Sequence, residues 1–184
     1  MTVQEPEPPL FPAGYGPLPS DMDSWIQQPF QFLTTKVMFR AELQASQALT
    51  ANANTLIHFG STAGDILEDP YGGWSTTATS AQPAWSWLCP AGCTGLYEVT
   101  MTAFTANPSG GATAAVIFLD GTEYGYLAYN WGGDGQASGA CGGGPFYLTG
   151  GIDYIQGYIG TVAAVNTTAT AGQYPTLEIA WVST

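Results

Sequence analysis

Gly95-Leu96-Tyr97-Glu98-Val99-Thr100-Met101-Thr102-Ala103-Phe104-Thr105 is the stretch that decides the fold. In an extended chain, Leu96, Glu98, Thr100, Thr102 and Phe104 share one face, and Tyr97, Val99, Met101 and Ala103 share the other. Alternation of period two with aromatic and β-branched side chains predicts a long strand. Downstream, residues 112–119 and 122–130 flank Asp120-Gly121, a strong hairpin signal between apolar runs. Upstream, 36–43 places Val37, Phe39 and Ala41 on one face, 55–59 forms a second strand, and 84–88 carries Trp85 and Trp87 on one face. Residues 146–148, 153–162 and 177–182 complete the set, the last alternating Leu177, Ile179 and Trp181 against Glu178, Ala180 and Val182. Residues 60–73 and the glycine-rich 131–145 read as loops, and a helical period is hinted at only in 41–51. About 8–10 short antiparallel strands separated by turn signals predict an all-β fold, a jelly-roll β-sandwich.

The N-terminal stretch is of another kind. Pro6, Pro8, Pro9, Pro12, Pro17, Pro19 and Pro29 are seven of the chain's 13 prolines. They fix φ and bias the preceding residues to extended conformations, so residues 1–34 read as an extended arm and 35–184 as the sandwich domain. Leu10, Phe11, Tyr15, Leu18, Trp25, Ile26, Phe30 and Phe32 are spaced along the arm. That many apolar side chains on a segment without a core of its own mark a docking strap.

Composition narrows the partners. The chain has 184 residues, two Lys or Arg against 14 Asp or Glu, and a net charge of −12. Phosphate backbones are bound by clustered cations, so nucleic acid is excluded as a partner, and anionic membrane surfaces with it. No apolar run reaches the length of a membrane helix, and no basic segment followed by an apolar one opens the sequence, so neither a membrane span nor a signal peptide is expected. Lys36 and Arg40 lie four apart on one predicted strand face where the arm meets the body. They pair either with the domain's own carboxylates or with a neighbouring subunit. Cys89, Cys93 and Cys141 are too few for a secreted disulfide framework, and synthesis in a reducing cytosol is expected. Cys89-Pro90-Ala91-Gly92-Cys93 spans a turn across which a disulfide is optional.

Catalytic chemistry finds little purchase. His58 is the single histidine and alternates with Ile57 and Phe59, and no Gly-x-Ser-x-Gly element accompanies it. Asp65, Glu68 and Asp69 cluster in one predicted loop, read as a solvated acidic loop in preference to a calcium site. The expectation is a protein that is not an enzyme and has no cofactor or metal. Trp74 and Trp131, in or beside the two predicted loops, are the candidates for a ligand-binding loop.

Four passages resemble the jelly roll of the tumour necrosis factor and complement globular-head superfamily. These are residues 39–56, Asp69-Pro70-Tyr71-Gly72-Gly73-Trp74, residues 87–99 with Gly95-Leu96-Tyr97-Glu98-Val99, and Val116-Ile117-Phe118-Leu119-Asp120-Gly121. The resemblance spans about residues 37–182 and implies a homotrimer packed through aromatic and aliphatic faces. In overall build the chain also resembles small structural proteins of tailed bacteriophages that infect actinobacteria. That implies a virion protein made in the host cytoplasm: a capsid decoration protein anchored by the arm on the major capsid protein, or alternatively a minor tail protein that binds a host-surface glycan at the tail tip.

Overall fold

The computed structural model describes residues 37–107, 111–132, 136–170 and 172–183. For residues 37, 107, 111, 126–132 and 136–139 it describes the backbone alone. The arm of residues 1–34, with all eight of its expected anchors, and Lys36 lie outside the described residues.

Thirteen strands and no helix occur among the described residues: β1 (Val37–Glu42), β2 (Ala48–Leu49), β3 (Ala53–Leu56), β4 (Ile66–Glu68), β5 (Trp74–Ser75), β6 (Ser86–Leu88), β7 (Gly95–Asn107), β8 (Gly111–Leu119), β9 (Thr122–Gly132), β10 (Gln136–Leu148), β11 (Tyr154–Thr161), β12 (Val165–Thr167) and β13 (Thr176–Ser183). Five of them are only two or three residues long, which leaves eight principal strands. One sheet runs β2-β12-β7-β13-β1-β4, with β10 also on β7; the other runs β5-β6-β11-β8-β9, with β3 also on β11. Every pairing is antiparallel. From β7 onward the chain passes from the first sheet to the second, back for β10, across for β11 and back again, so successive strands wrap the sandwich as a jelly roll.

The strand that decides the fold behaves as its alternation dictates. Tyr97, Val99, Met101 and Ala103 are fully buried and face Ile57, Phe59, Trp87, Ile117, Ile155 and Ile159 across the sandwich. Phe39 and Ala41 of β1 and Leu177 and Ile179 of β13 extend the same apolar layer. Gly157 sits where a Cβ would lie 3.3 Å from the Met101 thioether and 3.4 Å from Phe59, so the core side chains pack tightly against the β11 backbone there. The β8–β9 hairpin turns on Asp120 (φ 51) and Gly121 (φ 74), two consecutive positive-φ residues that match the right-handed strand twist.

Three expectations are corrected. Most of the glycine-rich 131–145 segment is strand, not loop: β10 pairs with β7 in unbroken register from Gln136↔Asn107 to Leu148↔Gly95. Glycine's poor strand propensity is overridden because β7 supplies a continuous partner and the approach excludes side chains. A Cβ at Gly143 would lie 2.9 Å from Thr100 Oγ1 and 3.2 Å from the Val99 carbonyl. Trp85 and Trp87 do not share a strand face, since Trp85 has φ 58 and only Ser86–Leu88 is strand. The helical hint in 41–51 resolves into the end of β1, a bend and β2.

Candidate functional site

Arg40 stands exposed on the outer face of the first sheet. Its strand neighbours are Glu178 on β13 and Glu68 on β4, and its guanidinium lies 3.8 Å from the Glu42 carboxylate. The charge is thus set among carboxylates of its own domain, in an exposed arrangement that contributes little to stability. Trp74 closes one end of the core. It stacks on Phe39 at 4.8 Å, meets Phe59 edge-on, and donates its indole N–H to the Phe59 carbonyl at 3.1 Å. Trp131 pairs with Ala112 in β9, and its side chain lies outside the described residues.

The expected solvated acidic loop is corrected as well. Asp65 is fully buried. Its carboxylate accepts the backbone N–H groups of Gln44, Gly60 and Thr62 at 3.0–3.1 Å, and so closes its own loop and pins it to Gln44. Asp69 accepts the N–H groups of Gly73 and Trp74, both at 3.0 Å. Burial still holds its carboxyl above the usual range, against the downward pull of those bonds. Asp120 accepts the Tyr154 N–H and Asp153 accepts that of Thr149. These four carboxylates are occupied with holding their own loops. Among the described residues, no three His, Cys, Asp or Glu side chains converge as metal ligands would.

Cys89, Cys93 and Cys141 are free thiols. The buried Cys89 Sγ lies 3.4 Å from the Tyr97 hydroxyl and 3.3 Å from the Cys93 carbonyl, which also accepts the Tyr97 O–H. Burial pushes the Cys89 thiol up to about 11, and it raises Cys93 and Tyr97 too.

Two surface features were not singled out in the sequence. The first lies on the outer face of the first sheet, where Tyr147 of β10 neighbours Leu96 of β7, which neighbours the end of β13 beside Val182. Tyr147 is 64% exposed and Val182 51%; Tyr124, 62% exposed, stacks at a tilt on buried Phe146 nearby in sequence to Tyr147. Beside this apolar corner the same face carries exposed Glu98, then Gly143, Thr100 and Thr102.

The second feature is Trp85. Positive φ occurs at three non-glycine residues among those described, and Asn52 and Asp120 are types that enter that region readily. A tryptophan there is strained by of order 1–3 kcal/mol. The surroundings hold it in place. Its N–H donates to the Ser75 carbonyl at 2.7 Å, and Gln156 Nε2 donates to the preceding carbonyl of Ala84 at 3.2 Å. The Gln82 amide donates to the carbonyls of Gly73 and Ser86, and Ser86 Oγ donates to the Pro83 carbonyl at 2.7 Å. Against this braced turn the Trp85 ring stacks on His58, with centroids 4.6 Å apart and planes 22° from parallel. His58 is directed there by the alternation visible in sequence, since Ile57 and Phe59 are buried and His58 is half-buried. Burial lowers its pKa from 6.5, which favours the neutral imidazole. No sequence signal marks the φ of Trp85, which is set by the turn around it.

No protein-family model matches the chain, and no curated protein matches it. Solved structures with a similar course include Eiger TNF from S. frugiperda, with a TM-score of 0.46 and 10% identity over 80% of this chain and 92% of that one. Murine APRIL gives 0.48 and 12% over 78% and 97%. The globular domain of zebrafish complement 1qA protein gives 0.44 and 12% over 80% and 97%. These structures are the kinds of jelly roll whose motifs the sequence resembles, and likeness at this level carries nothing about activity or partners.

Proposed function

We propose that the chain is a non-enzymatic structural protein of a tailed-bacteriophage virion, a capsid decoration protein whose residues 1–34 dock on the major capsid protein and whose body projects as a homotrimeric knob. The observation that carries this reading is the separation of roles along the chain. The arm interleaves seven prolines with eight apolar anchors, while the described carboxylates of Asp65, Asp69, Asp120 and Asp153 are occupied in holding loops. Burial of Phe11, Tyr15, Trp25 and Ile26 on a partner would stabilise docking at roughly 25 cal/mol per Å². The prolines lower the entropy lost on ordering, and three arms per trimer multiply the affinity. The corner of exposed Tyr147 and Val182 with half-buried Leu96 supports the trimer, because neighbouring apolar side chains on an outer sheet face are suited to a subunit contact.

The test is a full-length variant with Phe11→Ser, Tyr15→Ser and Trp25→Ser, mixed with virions that lack the protein. The reading predicts that the variant keeps the β-sheet circular dichroism of the wild type and no longer co-sediments with the particles. Binding as tight as wild type would overturn it.

A further inference from the structure

We propose that the Trp85–His58 stack is a binding subsite for a neutral saccharide, with the partly exposed aromatic pair as the platform for the flat C–H face of a pyranose ring. Three observations converge on it. First, Trp85 is held in the left-handed region by a turn braced from several sides, through Gln82, Ser86, Gln156 and its own N–H. Core packing does not need this arrangement, since Trp87, two residues on, fills the core in ordinary strand geometry and is fully buried. Backbone strain kept by surrounding structure at a surface aromatic points to a placed side chain.

Second, the pair is shaped for stacking and is neither sealed nor loose. Trp85 and His58 are both half-buried, and the stack at 4.6 Å fixes the indole orientation before any ligand arrives. Preorganised aromatic surface binds with little entropy loss. Third, the two stretches of chain that carry the rings hold no charge of their own, and Asp65, which bonds Gly60 and Thr62 in the loop beside them, is fully buried. Residues 43–64 and 70–97, which supply both rings and the loops beside them, contain no Asp, Glu, Lys or Arg in a chain with a net charge of −12. What they expose instead is hydroxyl: Ser61, Thr62, Thr76, Thr77 and Thr79. Thr76 directly follows Ser75, whose carbonyl accepts the Trp85 N–H. A partly exposed aromatic plane on chain that exposes neutral hydroxyls fits a sugar, whose C–H face is apolar and whose edge is all hydroxyl. These two stretches offer no cation to a phosphate or a carboxylate.

This subsite goes beyond the docking role and does not depend on where the protein sits in a particle. The experiment is an array of neutral and charged oligosaccharides probed with the full-length chain, with Trp85→Gly and Trp85→Phe alongside, followed by titration of any neutral trisaccharide that binds. Wild type is expected to bind at least one neutral glycan terminus. Trp85→Gly, which removes the ring and relieves the backbone, is expected to weaken binding tenfold or more. Trp85→Phe preserves a stacked ring in the turn and is expected to weaken it less, which keeps the test informative if the glycine variant is poorly folded. Absence of any neutral glycan bound by wild type, preference for charged glycans, or wild-type affinity in both variants would overturn the proposal. A protein that decorates virions yet fails on the array would sink the subsite and leave the docking role intact.

Discussion

At Trp85 the usual order of two substitutions is expected to reverse. In regular structure glycine is less stable than alanine because it has more conformational freedom to lose. At φ 58 the alanine Cβ is strained and glycine is not, so Trp85→Gly should unfold at higher denaturant than Trp85→Ala, by about 1 kcal/mol. Equal or inverted midpoints would mean that the turn relaxes when the indole is gone. Cys89 provides a second test at this scale. Its thiol is raised from 9.0 to about 11 by burial, so above pH 9 the unfolded chain loses a proton that the folded chain keeps. Stability contributed by the buried neutral thiol is therefore complete below about pH 9 and is lost as pH rises from there towards 11. Melting followed across that window should fall more steeply for wild type than for Cys89→Ala; parallel slopes would show that the thiol does not contribute.

At the level of the elements, β10 is where local propensity and tertiary context disagree. Its glycines permit the close approach to β7, and a Cβ at Gly143 would meet Thr100 Oγ1, the Glu98 carboxylate and the Val99 carbonyl within 3.2 Å. Gly143→Val is expected to destabilise the domain by about 1–3 kcal/mol, read from chemical denaturation, despite valine's better strand propensity. A neutral or stabilising effect would contradict the packing described. The same strand marks the limit of what the residues reveal in advance. Period two in 95–105 and Asp120-Gly121 were legible because each is a local rule, obeyed locally. The glycine-rich strand was not legible, because its order comes from thirteen consecutive partners in β7. Nor was the placement of Asp65. Acidic residues usually face water, and only the convergence of Gln44, Gly60 and Thr62 N–H groups makes its burial favourable. Trp74 reads as a loop aromatic in sequence and is a stacked cap on Phe39 in the fold. Trp85 was visible as an aromatic but not as a platform, since backbone strain leaves no trace in composition.

At the scale of the whole molecule, the account is of an arm that docks and a body that projects. If the corner of Leu96, Tyr147 and Val182 on the first sheet is the subunit contact, adding charge there should disperse the proposed trimer. Full-length protein with Leu96→Glu and Tyr147→Glu is expected to sediment as a monomer at micromolar concentration, and wild type as the proposed trimer. A trimeric double variant would move the contact elsewhere, and a monomeric wild type would remove it. Beyond assembly, the central claim concerns where the chain resides. A cryo-EM reconstruction of the virion proposed to carry this chain tests it most directly. The account predicts three-fold β-sandwich knobs on the outside of the head, each joined to the capsid lattice by extended density that fits residues 1–34. A virion with no such density on the head would contradict it.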